Sequence, residues 1–216
     1  IINQISSTAE HALALTLSAM RKLPFSHQGV LKGEWNYENY IGRQASSLIC
    51  GIIGFGRLGK FYYKFSKNLF KQIVIFDPYV KVKTSKFINK CNSLEELFKL
   101  CDIVSLHVHV NNETENLIDK KILSVAKNDL ILINTSRGEI VNNSHLIQFL
   151  KKNKNAIYAT DVLSNEIQEK KDNIVLNYLK KSDKQIIVTQ HIGGMTLEGQ
   201  QIAYNGVLES LSRNIN

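Results

Sequence analysis

The chain has 216 residues, of which 44% are hydrophobic and 21% are charged, so it is long enough to bury the core of one large α/β domain. It contains neither an apolar run of the roughly 18 residues that a membrane span needs nor the pattern of a signal peptide. The formal net charge is +8, but the lysines are scattered over predicted helix ends and loops, so we expect a solvated basic surface and no nucleic-acid or membrane partner.

The first predicted element is an amphipathic helix over residues 5–20, in which apolar residues recur at helical spacing. Pro24 lies beyond its end. Residues 25–47 contain three glycines and Trp35 and predict an irregular connecting segment.

A strand, a glycine turn, a helix and a second strand are predicted next. Residues 48–53 form an apolar run short enough for a buried parallel strand, and residues 73–76 form another. Between them lie Gly54, Gly56 and Gly59, followed by apolar residues at helical spacing. Asp77 ends the second strand 18 residues after the last glycine, close to the offset of about 20 that dinucleotide-binding units show. The segment therefore predicts a dinucleotide-binding fingerprint.

Each residue type in this fingerprint has a physical role. Gly54 permits a tight exit from the strand, Gly56 lets the backbone approach a pyrophosphate, and Gly59 lets the helix pack on the strand. The helix that starts near Arg57 directs free N–H groups and a positive dipole end at that pyrophosphate. Asp77 can accept hydrogen bonds from ribose hydroxyls and repels a 2′-phosphate, which favours NAD over NADP. A glycine-rich turn of some other α/β protein is the alternative.

Strands and helices continue to alternate to the end of the chain. This alternation predicts a Rossmann-type, doubly wound parallel sheet with helices on both faces, which is a three-layer αβα fold. We expect residues 1–195 to form an NAD-binding domain that includes the helix over 5–20, and residues 196–216 to form a C-terminal helix. The further predicted elements are a short helix capped by Ser93, a strand at 103–106, a helix at 119–126, a strand at 130–133, a helix capped by Asn142 or Asn143, strands at 156–159 and 186–188, and a last helix from about 196.

The three cysteines, Cys50, Cys91 and Cys101, are widely spaced and each lies within or beside an apolar run. Their odd number and their spacing fit neither a disulfide framework nor a zinc site. We therefore expect reduced core thiols, no metal and a cytoplasmic protein.

Three chemically suitable side chains follow the predicted strands. Arg137, Glu166 and His191 lie beyond different strand ends, and the carboxyl ends of parallel strands meet at one crevice. Arginine binds a carboxylate with two hydrogen bonds, histidine can give a proton to a carbonyl oxygen, and glutamate stabilises the charged imidazole. The trio suits hydride transfer to a carbonyl that carries a neighbouring carboxylate.

Four segments resemble the D-isomer-specific 2-hydroxyacid dehydrogenase family, whose members include phosphoglycerate dehydrogenases. These segments are residues 51–59, 134–138, 160–166 and 191–194. The resemblance implies an NAD-dependent oxidoreductase acting on a D-2-hydroxy acid or 2-oxo acid. It implies that Arg137, Glu166 and His191 are catalytic and that Asp161 contacts the nicotinamide carboxamide. The other cofactor contacts that it implies are Arg57, Leu58, Asp77, His107, Thr114 and Thr135.

The chain departs from the family pattern at three positions where proline is usual. These positions hold His109, Ile167 and Gln190, and we expect looser loops around Glu166 and His191 as a result. The family builds most of its substrate domain from the segment before the first long helix, and this chain begins at about that helix. We therefore expect most of the substrate domain to be absent, and the chain alone to bind NAD but turn over poorly.

Some roles stay open in the sequence. The first helix and Trp35 resemble the family's dimer-forming region, which implies a homodimer, although Trp35 also suits a core or surface position. His11 is expected to be a packing or interface residue. The alternatives to an enzyme are an NAD-responsive corepressor-like binding protein and a paralogue that binds NAD without turnover.

Overall fold

The computed structural model describes residues 5–166, 173–181 and 184–215. Its central feature is a parallel sheet whose strands are β1 (Ile49–Ile53), β2 (Gln72–Phe76), β3 (Ile88–Lys90), β4 (Ile103–Leu106), β5 (Ile131–Asn134), β6 (Ile157–Thr160) and β7 (Ile186–Val188). Their order in the sheet is β3-β2-β1-β4-β5-β6-β7. The order reverses between β1 and β4, and in open sheets of this kind a ligand binds at the carboxyl ends of the strands beside that point.

Helices cover both faces of the sheet and enclose two separate hydrophobic clusters. The helices are α1 (Ser7–Met20), α2 (Leu23–Leu31), α3 (Arg57–Ser66), α4 (Leu94–Leu100), α5 (Lys120–Ser124), α6 (Asn143–Lys152), α7 (Ile174–Leu179) and α8 (Leu197–Ile215). Neighbouring residues of β1 point to opposite faces, so Ile52 packs in the cluster under α1 and α3, and Ile53 packs in the cluster under α4, α5 and α6. This arrangement confirms the three-layer Rossmann-type class.

Side-chain caps begin both helices for which a capping residue was predicted. The Ser93 hydroxyl accepts a hydrogen bond from the Glu96 amide at 3.1 Å, and the Asn142 side chain accepts one from the His145 amide at 3.1 Å. Both caps satisfy backbone N–H groups that the helix itself leaves without partners. Among the described residues, no helix has both the length and the apolar character needed to cross a bilayer.

The structure differs from the sequence prediction in three elements. α2 occupies part of the segment that was predicted to be irregular, and Pro24 lies in its first turn, where a missing N–H costs nothing. β3 is a three-residue edge strand and α7 is a six-residue helix, and neither was predicted. All three are short, and their apolar residues are too few to establish a period.

A substitution at Gly59 tests how closely α3 packs on the end of β1. A Cβ atom at this position would lie 2.1 Å from the carbonyl oxygen of Gly54. We expect Gly59→Ala to lower the free energy of unfolding by about 1–3 kcal/mol in urea titrations, because the helix must shift to admit the methyl group. Gly56→Ala is the control, since a Cβ there meets no atom within 4 Å, and we expect it to cost less than about 1 kcal/mol. Equal losses in the two variants would contradict the close approach.

Candidate active site

A cleft of about 830 Å³ lies at the carboxyl ends of the central strands. Its volume falls within the range of about 300–1,000 Å³ that is usual for ligand sites. Two predicted residues do not line it: Gly59 packs behind the turn, and Glu166 reaches the cleft through another side chain. The predicted residues that line the cleft are Gly54, Gly56, Arg57, Leu58, Asp77, His107, Thr114, Thr135, Arg137, Asp161 and His191.

The glycine turn between β1 and α3 forms the floor of the cleft. Gly54 has a φ of +86°, and a Cβ there would lie 2.5 Å from the carbonyl oxygen of His107, so both its conformation and its space require glycine. Gly56 precedes the first residue of α3 and is open to the cleft. The Arg57 guanidinium donates to the carbonyl of Ile5. This geometry offers backbone N–H groups and a positive dipole end to an anion.

Asp77 lies at the end of β2 and is held by three backbone amides. Its carboxylate accepts from the N–H groups of Phe55, Tyr79 and Val80 at 2.7, 2.9 and 3.0 Å. The Tyr79 hydroxyl donates to Glu113 at 2.6 Å, which brings a second carboxylate to the same rim and raises the pKa of Tyr79. Neither Tyr79 nor Glu113 was predicted from the sequence to belong to the site. Tyr79 could have been suspected from its place beside Asp77, whereas no signal pairs it with Glu113.

His107 follows β4 and forms an uncharged wall of the cleft. Burial lowers the pKa of its imidazole to about 3, because a charged ring would lose its hydration there. Its Nε2 lies 2.9 Å from the Ser105 hydroxyl, and its ring packs on Tyr62 with centroids 4.9 Å apart. His107 is therefore neutral near pH 7 and contributes polarity without charge.

Thr135 supplies a buried hydroxyl that fits a cofactor in this cleft. Within the part of the chain that the structure describes, Thr135 and Ser7 have buried side-chain oxygens without a hydrogen-bond partner. Buried hydroxyls are normally hydrogen-bonded. Because Thr135 lines the cleft, a polar group of a bound ligand could supply the hydrogen bond that its hydroxyl lacks. Thr114 instead donates to the His109 carbonyl at 2.5 Å and accepts from the Asn111 amide at 2.8 Å, which fixes the neighbouring loop.

Arg137 and His191 line the same cleft from different loops. The backbone of Arg137 is anchored by the Asn134 side chain, which donates to its carbonyl at 2.9 Å. Its exposed guanidinium donates to the Ser136 carbonyl at 2.6 Å. A guanidinium so placed can present its planar fork to a carboxylate in the cleft.

His191 is paired with Glu166. The imidazole Nδ1 lies 2.7 Å from one carboxylate oxygen, and the other accepts from the Leu163 amide at 2.6 Å. Because an ionised carboxylate only accepts, this contact places a hydrogen on Nδ1 and leaves Nε2 for other chemistry. Ile167, where the family usually has proline, lies outside the described residues.

Asp161 is buried below the turn that carries His191. Its carboxylate accepts from the Thr189 hydroxyl and from the amides of Ile192 and Gly193, and His11 lies 3.3 Å away. Burial raises the pKa of this carboxyl, but the hydrogen bonds from His11, Thr189, Gly193 and Ile192 outweigh it and lower the pKa to about 2. His11 was predicted to be a packing or interface residue, and it also hydrogen-bonds within this network.

Comparisons with known proteins match this geometry to one family. The family model described as "D-isomer specific 2-hydroxyacid dehydrogenase, NAD binding domain" matches residues 13–193. D-3-phosphoglycerate dehydrogenases of Archaeoglobus fulgidus and Bacillus subtilis are 34% and 30% identical over 195 residues, which cover 90% of this chain. The chain spans only 36% of the length of these two relatives.

Solved structures give the same result. D-lactate dehydrogenase of Aquifex aeolicus, complexed with NAD and lactic acid, aligns with a TM-score of 0.86 at 25% identity, covering 99% of this chain and 67% of its own. The NAD complex of an NAD-dependent formate dehydrogenase from Staphylococcus aureus aligns with a TM-score of 0.86 at 30% identity, covering 99% and 63%.

The low pKa of Asp161 predicts an acid-dependent stability. Its folded pKa of about 2 lies below the usual aspartate value of 3.8. Its ionised form therefore stabilises the fold above pH 4, and this contribution, about 2 kcal/mol, is lost as the pH falls toward 2. We expect Asp161→Asn to lower the free energy of unfolding near neutral pH and to flatten its dependence between pH 5 and 2. The control is Asp129→Asn, which alters a carboxylate with a 43% exposed side chain. Parallel pH curves for wild type and Asp161→Asn would refute the assignment.

Proposed function

The chain belongs to the D-isomer-specific 2-hydroxyacid dehydrogenase family as its NAD-binding domain, and on this basis we propose an activity for the full-length protein, meaning the longest natural protein that contains this chain. It transfers a hydride between NAD and a D-2-hydroxy acid or its 2-oxo acid. The observation that carries the proposal is the His191–Glu166 pair, whose atoms lie 2.7 Å apart at the cleft that Arg137 also lines.

The chain's own residues support NAD as the cofactor. The open backbone at Gly56 and the first turn of α3 would receive the diphosphate, and Asp77 would receive the ribose hydroxyls. Glu113 adds negative charge at the ribose end, which disfavours the 2′-phosphate of NADP. The buried hydroxyl of Thr135 would form a hydrogen bond with the nicotinamide half of the cofactor. When bound, the reduced cofactor supplies the hydride.

Three side chains would then bind the substrate and transfer its proton. Arg137 binds the carboxylate of the 2-oxo acid through two hydrogen bonds and polarises the neighbouring carbonyl. His191 donates its Nε2 proton to the carbonyl oxygen as hydride reaches the carbon, and it removes that proton in the reverse direction. Glu166 fixes the imidazole ring and stabilises its charged form. His107 is neutral near pH 7 and therefore does not compete with His191 as a proton donor.

We also propose the division of the chain into an NAD-binding domain, residues 1–195, and a C-terminal helix, residues 196–216, that packs on a substrate-binding region. The large exposed apolar side chains of α8 support this. Leu197, Tyr204 and Leu208 are 85%, 68% and 63% exposed, and an apolar surface of this kind suits an interface. Without that region the cleft admits water, and turnover by the chain alone would be low.

Steady-state oxidation of NADH with a panel of 2-oxo acids tests the activity. We expect the full-length protein to turn over at least one of them, and this chain to bind NADH in calorimetry but turn over at least about 100-fold more slowly. In the full-length protein, His191→Ala should lower kcat by about 10²–10⁴, since it removes the proton donor. His27→Ala, which alters an exposed histidine outside the cleft, should leave kcat unchanged.

Three outcomes would change the assignment. Full activity from the chain alone would refute the need for a further region. A loss of less than threefold in His191→Ala would remove His191 from proton transfer. Tight NADH binding by the full-length protein, with no turnover of any 2-oxo acid, would favour a corepressor-like binding protein or a non-catalytic paralogue.

A homodimer in the cytoplasm completes the proposal. Trp35 is 89% exposed and follows α2, where Leu31 is 67% exposed, and such exposed apolar side chains support a dimer interface. The free buried cysteines suit a reducing compartment.

We expect Trp35→Ser to shift the protein toward the monomer in sedimentation velocity, because it removes apolar area from the interface. Phe87→Ser removes an exposed aromatic ring elsewhere and should not change the sedimentation coefficient. A wild-type monomer at all protein concentrations would contradict the dimer.

A further inference from the structure

His11 connects the first helix to the turn that carries His191. It lies on α1, and its Nε2 is 2.9 Å from the Thr189 hydroxyl and 3.3 Å from the Asp161 carboxylate. The imidazole side chain is 18% exposed. His11 is not among the residues that line the cleft, so it acts on the site through its neighbours.

The hydrogen bonds determine which atom of this network is the donor. The Thr189 hydroxyl donates its one hydrogen to Asp161 at 2.5 Å, and the ionised carboxylate can only accept. The Thr189 oxygen must therefore accept the hydrogen bond from His11. His11 thus carries a hydrogen on Nε2, a condition that both the neutral Nε2–H tautomer and the charged ring satisfy.

The same carboxylate holds the turn after β7. The amides of Ile192 and Gly193 donate to it at 2.9 and 2.7 Å, and the amide of His191 donates to the Asp161 carbonyl at 2.9 Å. His191 has a φ of +56°, in the left-handed region that residues with a Cβ rarely adopt. The hydrogen bonds to Asp161 hold the turn in this conformation.

Gly193 brings the turn against His11 itself. A Cβ on Gly193 would lie 2.9 Å from the Asp161 carboxylate and 3.5 Å from the Cδ2 atom of the His11 ring. The ring thus packs against the turn and also donates to its anchor. An apolar side chain of similar size at position 11 would keep the packing against Gly193 but lose the hydrogen bond to Thr189.

We propose that His11 is a positioning residue of the active site: its Nε2–H orients Thr189 and Asp161, and these hold the turn so that the His191 ring meets Glu166 at the cleft. The catalytic part of this proposal rests on the proposed dehydrogenase function. The part that concerns the turn stands on the geometry alone, so the two parts can be tested separately.

Two substitutions at position 11 separate the hydrogen bond from the packing. His11→Leu keeps apolar bulk and removes the donor, whereas His11→Gln places an amide N–H near the position of Nε2. In this chain we expect His11→Leu to accelerate amide hydrogen exchange of Ile192 and Gly193 at least about tenfold, while the core amides of Val104 and Leu132 keep their rates. His11→Gln should stay within about threefold of wild type.

The full-length protein gives the catalytic readout. We expect His11→Leu to lower kcat by about tenfold to hundredfold, because a misplaced proton donor slows the chemical step. The dissociation constant of NADH should change much less than kcat, because most of the proposed NADH contacts lie at the glycine turn, Asp77 and Thr135, and Asp161 is the one proposed contact that His11 touches. His11→Gln should recover most of kcat, which a role in packing alone would not allow.

Unchanged Ile192 and Gly193 exchange in His11→Leu would overturn the proposal, and so would equal impairment of the two variants. If His11→Leu does not fold, Thr189→Val deletes the hydroxyl between His11 and Asp161 and should accelerate the same two amides; unaltered exchange there would overturn the proposal as well. If the wild-type full-length protein shows no turnover while the amides respond as expected, the dehydrogenase function fails and the role of His11 in the turn is supported.

Discussion

Four neighbouring strands of the sheet end in line, because Ile53 pairs with Leu106, Leu106 with Asn134, and Asn134 with Thr160. These strands are buried on both faces, so a slip of one residue would exchange the side chains of the two hydrophobic clusters. The register is therefore fixed by the cores. The segments that leave the four strands must begin at one edge, and the cleft is formed there from residues far apart in sequence.

The strand order also distributes charge along this cleft. Asp77 and Glu113 lie toward β2, whereas Arg137 and His191 follow β5 and β7 on the other side of the switch point. Between them His107 is kept neutral by burial, since no charged partner compensates its desolvation. Asp161 is buried too, but the pKa of its carboxyl is lowered because hydrogen-bond donors surround it. The hydrogen-bond partners of each group thus decide whether it is charged.

β1, β4 and β7 lie where apolar runs indicated strands, and the predicted capping residues Ser93 and Asn142 begin α4 and α6. β3 is as short as β7 but was missed because it contains one apolar residue and therefore no run. α2 and α7 are short helices, which depend on tertiary contacts more than on their own pattern. His11 and Thr189 are 178 residues apart, and no local rule pairs residues at that distance. Their contact follows only from α1 packing beside β6.

Gln190 stands where the family usually has proline, so the turn before His191 lacks the backbone restriction that proline would provide. A proline at this position would restrict φ and reduce the entropy of the unfolded chain. The turn is instead fixed in the folded state, where three consecutive amides from His191 to Gly193 donate to Asp161. Two of these amides donate to the same carboxylate that lies 3.3 Å from His11 of α1. Through this carboxylate, the proposed role of His11 would couple the conformation of His191 to the placement of the first helix.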